Sequence, residues 1–307
     1  MRMVFLGTGG AFPTSKRMTS SAVLLREGEM VMFDCGEAIQ LQLARSRLGW
    51  ARLRAVCITH LHGDHVLGIP GLLMTMGLGE RKEPFTIYGP PGLAEYVRLS
   101  RRFLRFGVPF PLEVVELEGG KVWETSEYAV EALPVDHRVF TLAYRLRENP
   151  RPGRFNLEAA GKLGVPPGPL FKQLQGGHEI TLPTGAVISP EQVLGPARPG
   201  RQVVYAVDTR PLDSVVEFAR GADLLVHDGM FDDELAADAR RRGHSTTREA
   251  AEIARAATVR RLVISHISPR YQDIRPMLAQ AREAFPSARL ARDLETYEIP
   301  YRENENE

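Results

Sequence analysis

The segment His60-Leu61-His62-Gly63-Asp64-His65 places three imidazoles and one carboxylate within six residues. It directly follows residues 53–59, an apolar run of the length typical of a buried strand. A tight turn at a strand end can aim these side chains at one spot, and imidazole and carboxylate suit zinc and similar divalent ions. His60 and His62 can reach one ion while Asp64 and His65 reach a second. The segment therefore predicts a site for two metal ions beside a sheet.

Two ions need further ligands, and the sequence offers three at the ends of other predicted strands. These are His137 after residues 128–134, Asp208 after residues 203–207 and His266 after residues 262–265. We expect the four strands to bring their ligands to one edge of the sheet layer. For either histidine taken alone, an ordinary core or loop position is the alternative, and the presence of the metal loop favours ligation.

The composition is that of a globular protein. The 307 residues are 43% hydrophobic and 25% charged, which excludes wholesale disorder and allows a large core. A net charge of +1 excludes a protein that coats nucleic acid by bulk charge, so RNA binding requires a local patch. Cys35 and Cys57 are too few for a disulfide framework and lie in apolar runs, which predicts buried thiols. No apolar stretch reaches the roughly 20 residues of a membrane span, so we expect a soluble, cytoplasmic protein.

Strand and helix patterns alternate along the chain. Residues 21–25 and 30–33 flank Glu27-Gly28-Glu29 and are typical of a hairpin. Helical patterns cover residues 38–48, 93–106, 246–257 and 277–285. The third of these begins with Thr246 and has Glu249 three residues later, the spacing of a capping box. The alternation predicts a layered α/β domain rather than a helical bundle or an all-β sandwich.

Residues 145–200 interrupt this rhythm with nine prolines and many glycines. A structureless loop of that length is uncommon unless it is functional, so we interpret the stretch as an inserted arm. From Arg145 to Lys172, six arginines and lysines stand against two glutamates, a local charge of +4. Such a patch can hold RNA phosphates without reading sequence, and a solvated loop is the alternative. Phe155 and Phe171 are expected to pack within the arm.

The metal loop resembles the His-X-His-X-Asp-His signature of the metallo-β-lactamase superfamily. That resemblance implies an α/β fold, a four-layered αββα sandwich. We expect a single domain over residues 1–307, with the flexible arm inserted at about 145–200. Members of the superfamily include lactamases, thioesterases, phosphodiesterases and nucleases, so the fold alone does not give the substrate.

Further segments resemble the ribonuclease Z family of tRNA 3′-processing endonucleases over nearly the whole chain. They are Gly7-Thr8-Gly9-Gly10, Asp208-Thr209-Arg210-Pro211, His244-Ser245-Thr246 and the arm stretch 163–170 with Leu174 and Gly176. Two departures concern the family's loops. Ser15 and Met18 replace lysine and asparagine in the Pro-X-Lys-X-Arg-Asn loop that is associated with rejecting precursors already carrying CCA. Asp228 stands where the family often has glutamate in a His-Glu-Ala-Thr segment.

The resemblance implies a zinc-dependent endoribonuclease that cleaves 3′ trailers from precursor tRNA, leaving a tRNA 3′-hydroxyl and a trailer 5′-phosphate. Two Zn²⁺ per subunit are expected, with Mn²⁺ as the alternative. One ion takes His60, His62 and His137, the other takes Asp64, His65 and His266, and Asp208 bridges both. A metal-activated hydroxide attacks phosphorus in this scheme, and Asp64 helps to take or hold its proton. His244, held by Asp228, protonates the leaving oxygen.

The expected partners are precursor tRNA and a second copy of the chain in a homodimer. The arm residues expected to contact RNA are Arg145, Arg151, Arg154, Lys162, Gly168, Pro169 and Lys172. Two other functions stay open. A dinuclear phosphodiesterase of the same fold that acts on small diesters has no need of the arm. A metal-stabilised RNA-binding module without catalysis leaves the full ligand set and His244 unexplained.

Overall fold

The computed structural model of the chain describes residues 1–302, which form two compact units. The first unit comprises Met1–Thr125, Ala129–Arg147 and Gln202–Pro300. The second unit consists mainly of Glu148–Arg201, together with Ser126–Tyr128. Within residues 1–302, each helix is either too short or too polar to cross a bilayer.

One seven-stranded sheet of the first unit carries the metal loop. Its strands are β1 (Arg2–Gly7), β2 (Ser21–Arg26), β3 (Glu29–Phe33), β4 (Leu53–Cys57), β5 (Phe85–Gly89), β6 (Leu112–Glu116) and β16 (Thr296–Glu298), in the order β16-β1-β2-β3-β4-β5-β6. Strands β3 to β6 run parallel. The predicted hairpin is confirmed as the antiparallel pair β2–β3, with Glu27 and Gly28 at φ +46° and +96° in its turn. Positive φ at both positions suits a two-residue hairpin loop.

The second seven-stranded sheet brings together strands from the other half of the chain. They are β7 (Gly120–Glu124), β8 (Tyr128–Val135), β9 (Thr141–Glu148), β12 (Gln202–Ala206), β13 (Leu224–Asp228), β14 (Leu262–Ser265) and β15 (Arg289–Leu290), in the order β15-β14-β13-β12-β9-β8-β7. Strands β12 to β15 are parallel, so their carboxyl ends lie along one edge. That edge is where an open parallel sheet presents its functional loops.

Helices connect the strands. The first unit contains α1 (Ile39–Arg45), α2 (Gly63–Val66), α3 (Gly68–Leu78), α4 (Leu93–Phe103), α7 (Asp213–Phe218), α8 (Ala236–Arg242), α9 (Thr247–Ala256) and α10 (Arg275–Ala284). The four predicted helices correspond to α1, α4, α9 and α10. The predicted capping box at the start of α9 is confirmed. The Thr246 amide donates to Glu249 Oε2 at 2.8 Å, and the Glu249 amide donates to Thr246 Oγ1 at 3.2 Å.

The two sheets pack face to face and carry helices on their outer faces. Phe33 of β3 stacks on Tyr205 of β12 with ring centroids 5.1 Å apart, and the Tyr144 hydroxyl donates to the Ile58 carbonyl at 2.7 Å. One buried core joins the first sheet to α1, α3 and α4, and another joins the second sheet to α7, α9 and α10. The predicted αββα layering is therefore confirmed. Cys35 and Cys57 are free, buried thiols, also as predicted.

The proline-rich second unit has a small core of its own. It contains α5 (Leu157–Lys162), α6 (Pro169–Gln175) and the paired strands β10 (Ile180–Thr181) and β11 (Val187–Ile188). The buried residues of that core are Ala160, Val165, Leu174, Ile180, Leu182, Ile188 and Val193. Phe155 and Phe171 pack against this core with ring centroids 4.5 Å apart, which confirms the packing predicted for them. A buried bidentate ion pair between Glu148 and Arg201, with contacts of 2.7 and 2.8 Å, also stabilises the unit.

Candidate metal centre and active site

All seven residues predicted as metal ligands converge within the first unit. The loop that follows β4 in one sheet carries the first four of them and turns into α2 at Gly63. His137, Asp208 and His266 follow β8, β12 and β14, which belong to the other sheet. The prediction of a single sheet edge is therefore wrong. Because the sheets are stacked face to face, the ends of strands in both layers meet and both layers supply candidate ligands.

The first ligand group consists of His60, His62, His137 and Asp208, with one ligand atom of each within 4.8 Å of the others. His60 Nε2 lies 2.9 Å from His62 Nδ1, which lies 3.3 Å from His137 Nε2. Asp208 Oδ2 lies 3.3 Å from His60 Nε2. Three imidazole nitrogens and one carboxylate oxygen around one point form a donor set that suits zinc.

Asp64, His65 and His266 form the second ligand group. Asp64 Oδ2 lies 3.5 Å from His65 Nε2 and 3.3 Å from His266 Nε2. Asp208 reaches this group as well, because its Oδ2 is 3.3 Å from His65 Nε2. One carboxylate thus lies against both groups, which is the position that a bridging ligand needs.

The backbone is strained at two of these candidate ligands. Asp208 and His266 have φ values of +54° and +63°, in the left-handed region that side chains other than glycine rarely adopt. Such residues cost on the order of 1–3 kcal/mol each and cluster at functional sites. Gly10 leaves room for the His266 ring, since a Cβ at Gly10 would lie 2.6 Å from His266 Cε1. The lack of a side chain at Gly10 therefore gives the glycine-rich segment after β1 a physical role at the site, because it makes space for the His266 ring.

Burial and neighbouring charges set the protonation of the cluster. Burial lowers the pKa of His60 well below its ordinary value, and the nearby His65 lowers it further, which favours the neutral ring that binds metals. Burial also lowers the pKa of His65, but Asp34 and Asp208 outweigh it and raise that pKa well above its ordinary value. Burial opposes ionisation of Asp208, yet His266 and His65 hold its pKa well below the ordinary value. Binding of cations at such a site therefore releases protons.

The residues present fit divalent cations. Within residues 1–302, four buried polar atoms at this point lack a hydrogen bond of good geometry: His65 Nε2, Asp208 Oδ1, His266 Nδ1 and Asp228 Oδ1. They lie close to one another, with His266 Nδ1 3.0 Å from Asp208 Oδ1 and 3.5 Å from Asp228 Oδ1. Buried polar atoms without a well-formed hydrogen bond are rare in native proteins and costly. Their convergence in one imidazole-and-carboxylate cluster is explained if cations satisfy them. The cluster is therefore capable of binding metal.

Asp34 is a site residue that the sequence reasoning missed. Its Oδ2 lies 2.8 Å from His65 Nδ1, and its Oδ1 accepts from both the amide and the hydroxyl of Thr59 at 2.8 and 2.9 Å. The carboxylate therefore orients the His65 ring through its Nδ1 atom and connects β3 to the metal loop. The available signal was its position directly after β3, the same strand-end placement as the other candidates.

We expect Asp34→Asn to lower the affinity of the cluster for Zn²⁺ by about 10- to 100-fold, the effect typical of removing a carboxylate that orients a metal-binding histidine. Titration of the protein against a competing chelator measures this change. Asp213→Asn, the same substitution at an exposed position of α7, is the matched control. Equal Zn²⁺ affinity in the two variants would contradict the orienting role of Asp34.

His244 and Asp228 form the predicted carboxylate–imidazole pair beside the cluster. His244 Nδ1 lies 3.0 Å from Asp228 Oδ2, which also accepts from the Ser245 amide at 2.9 Å. Although burial opposes it, the His244 ring lowers the pKa of Asp228 to about 2, so the residue is a carboxylate at neutral pH. His244 lines a cavity of about 150 Å³ at the cluster. Atoms of the pair also lie within 4.8 Å of ligand atoms of Asp208 and His266, so distance alone permits ligation by the pair as well.

Full-length relatives decide the family. The chain is 47% identical to Ribonuclease Z of Methanosarcina acetivorans over 98% of its own length and 99% of that protein. It is 46% identical to Ribonuclease Z of Salinibacter ruber, covering 98% of this chain and 95% of that protein. The chain belongs to the ribonuclease Z family.

Structural and domain comparisons agree with membership in the ribonuclease Z family. Human tRNase Z, short form, superposes with a TM-score of 0.72 at 28% identity and covers 98% of this chain and 100% of that one. A Beta-lactamase superfamily domain model matches residues 172–267, and a model of the Anti-Pycsar protein Apyc1 matches residues 1–108. The resemblance inferred from the metal loop, the His-Ser-Thr segment and the arm is therefore confirmed.

The residues predicted to contact RNA lie in different surroundings in this ribonuclease Z family member. Arg154, Lys162, Gly168, Pro169 and Lys172 are exposed in the second unit. Arg145 instead belongs to the first unit, where it pairs with Glu131 at 2.7 Å and lies over the Phe218 ring at 4.3 Å. Arg151 lies over the Tyr301 ring at 3.4 Å. The structure thus gives Arg145 and Arg151 packing contacts that the sequence did not indicate.

Proposed function

We propose that this chain is an endoribonuclease that hydrolyses the phosphodiester joining a 3′ trailer to precursor tRNA. Its products are a tRNA 3′-hydroxyl and a trailer with a 5′-phosphate. The observation that carries the proposal is the His244–Asp228 pair beside two ligand groups that share Asp208. That arrangement places a proton donor beside a candidate cation site. Membership in the ribonuclease Z family supports precursor tRNA as the substrate.

Two Zn²⁺ per subunit fit the proposal, with Mn²⁺ as the alternative. His60, His62 and His137 would hold one ion, Asp64, His65 and His266 the other, and Asp208 would contact both. Such a pair of cations supplies charge neutralisation at the phosphate and a nucleophile at neutral pH.

The side chains of the chain itself manage the protons. Protonated His244 donates to the leaving 3′-oxygen, and Asp228 fixes the ring by accepting from Nδ1, which leaves Nε2 as the donor. Asp64 Oδ2 accepts from the Ala11 amide at 2.7 Å, a contact that holds the carboxylate in place at the cluster. In the proposed mechanism this carboxylate takes or holds the proton of the attacking water.

End mapping of the products tests the function directly. We expect the purified protein to cut an end-labelled, 3′-extended precursor tRNA once, near the discriminator base, and a chelator to abolish the cut. The mapped ends also show what the departures at Ser15 and Met18 permit, because they locate the cut relative to CCA. Failure of the metal-loaded protein to cut the precursor, with hydrolysis of a small diester retained, would replace this function with a phosphodiesterase of the same fold.

We also propose that the arm, at about 145–200, holds the tRNA through phosphate contacts. The support is the exposure of Arg154 next to α5 and of Lys162 and Lys172 on α5 and α6. Gly168, with φ +139°, begins α6 together with Pro169, and this turn sets the direction of the helix. Phosphate contacts position RNA without reading its sequence, which suits recognition of a folded tRNA by shape.

The triple variant Arg154→Ala/Lys162→Ala/Lys172→Ala is expected to raise KM for precursor tRNA by about 10-fold or more at physiological salt and to leave kcat nearly unchanged. The salt dependence of binding should become shallower, because fewer counterions are released. Steady-state cleavage at several salt concentrations measures both effects. The matched control replaces Arg47, Arg52 and Arg54, three basic residues elsewhere on the chain, by alanine. A fall in kcat with KM unchanged would contradict the assignment of the arm.

We also propose that the protein is a homodimer and that it lies in the cytoplasm. Apolar side chains are exposed on the neighbouring helices α1 and α3, where Leu41, Met74 and Leu78 are 47%, 40% and 85% exposed. We take these exposed apolar side chains on two packed helices as the proposed interface between copies. The two free thiols suit a reducing compartment.

Light scattering after size-exclusion chromatography should give twice the chain mass for the wild type. Leu41→Asp/Leu78→Asp should give the mass of one chain, because a buried carboxylate disfavours the interface. Leu157→Asp, at a side chain 67% exposed on α5, is the control and should stay dimeric. A wild-type monomer, or a dimeric double variant, would exclude this face as the interface.

A further inference from the structure

Two arginines line the cavity at the metal cluster and have no role in the mechanism above. Most of the residues that line it belong to the ligand groups or to the His244–Asp228 pair, and the others are Ala11, Arg138, Met230 and Arg242. Among the described residues that line the cavity, these two arginines alone carry a permanent positive charge. Both are exposed.

The two arginines emerge from backbone segments that touch each other. His137 Nδ1 lies 2.7 Å from the Gly243 carbonyl, so the residue before Arg138 is hydrogen-bonded to the residue after Arg242. A Cβ at Gly243 would lie 3.1 Å from the Arg138 amide nitrogen, and Gly243 has φ +83°. Close approach of the two segments therefore requires glycine. It brings together the segment in which Arg138 directly follows the proposed ligand His137 and the segment in which Arg242 precedes the proposed acid, His244, by two residues.

Neighbouring arginines form ion pairs with acidic side chains. Among the described residues Arg138 and Arg242 form no ion pair, although the charge of Arg242 helps to lower the pKa of Asp238. Arg210 pairs with Asp136 at 2.7 Å, Arg241 pairs with Asp238, and Arg240 approaches Glu249 at 3.9 Å. Within residues 1–302, the side chains of Arg138 and Arg242 make neither an ion pair nor a hydrogen bond. Their charge is thus available to a ligand in the cavity.

We propose that Arg138 and Arg242 form an arginine pair that binds the non-bridging oxygens of the phosphodiester at the metal cluster, an inference that rests on the proposed function. A phosphodiester carries one negative charge and gains more as water attacks, and a guanidinium fork matches two phosphate oxygens. Donors placed before the reaction stabilise that charge without reorganisation. Together with the arm, the pair gives the substrate two separate phosphate-binding regions.

The test compares Arg138→Gln, Arg242→Gln and their lysine counterparts on two substrates, precursor tRNA and bis(4-nitrophenyl) phosphate. Each glutamine variant should lower kcat/KM by about 10- to 100-fold on both, the loss expected for one charge-assisted hydrogen bond. Lysine should restore part of the rate, since it keeps the charge without the fork. The matched control is Arg241→Gln. Arg241 is exposed and lies on α8 beside Arg242, but it does not line the cavity. The kcat/KM of this control should stay within about two-fold of the wild-type value.

The small diester separates this inference from the proposed function. If the wild type hydrolyses only the small diester and the glutamine variants still lose activity on it, the tRNA function fails and the arginine pair stands. If both glutamine variants match Arg241→Gln on the substrates that the wild type cleaves, the inference is overturned. Zinc content is measured in parallel, and loss of zinc in step with activity would also overturn it by assigning the effect to the cluster.

Discussion

Asp208→Asn is expected to lower kcat/KM for precursor tRNA by at least about 10³-fold, since the catalytic effect of the cations is worth several kcal/mol. The physical reason is the position of one carboxylate between two groups of imidazoles. Asp208 Oδ2 lies 3.3 Å from His60 Nε2 and 3.3 Å from His65 Nε2, so its loss weakens both sites at once. Bound Zn²⁺, measured by elemental analysis after dialysis, should fall together with activity.

The control for this prediction is Asp213→Asn, which removes an exposed carboxylate by the same chemical change. Asparagine has nearly the volume of aspartate, so a folded variant is expected, and circular dichroism with thermal unfolding verifies it. Retention of both zinc and cleavage in folded Asp208→Asn would show that this carboxylate is not a shared ligand.

His244→Ala is expected to slow single-turnover cleavage by about 10²- to 10⁴-fold, the range for loss of a general acid. Its effect on the Kd for precursor tRNA should stay within a few-fold, because the proton is transferred in the transition state. Asp228→Asn should act in the same direction, since it removes the acceptor 3.0 Å from His244 Nδ1. Quenched-flow cleavage and filter binding measure the two quantities separately.

Zinc content distinguishes an acid from a ligand at His244. Ligand atoms of His244, Asp228, Asp208 and His266 lie within 4.8 Å of one another, so their distances admit either role. We expect His244→Ala to keep its full zinc content while losing the chemical step. A variant that loses zinc, or one that loses binding and cleavage equally, would count against the acid.

The sequence was most informative where chemistry concentrates in a short segment. Four candidate ligands within six residues, directly after a strand, predict a metal site because no ordinary loop needs that set. Strand-end placement then found His137, Asp208 and His266, which the structure brings together. Local patterns also predicted the β2–β3 hairpin and the capping box at Thr246, since both depend on contacts between residues close in the chain.

Partners distant in the sequence were out of reach of the same reasoning. Asp34 and His65 are 31 positions apart and meet only because β3 and β4 are neighbours in one sheet. Arg145 was counted with the basic arm because it lies in that stretch, yet its guanidinium pairs with Glu131 in the first unit. A charge count along the chain does not reveal where each side chain points.

The sequence by itself determined the donor chemistry, the layered α/β class and the family, because these follow from residue types at fixed short spacings. Only the tertiary structure decided that two sheets rather than one supply the candidate ligands. It also decided that Asp208 lies against both ligand groups, and that Arg138 and Arg242, which are far apart in the sequence, line the same cavity. The reason is physical. The local sequence pattern determines where each strand ends. Which strand ends come together depends on how the buried apolar faces of the two sheets pack, as Phe33 of one sheet packs on Tyr205 of the other.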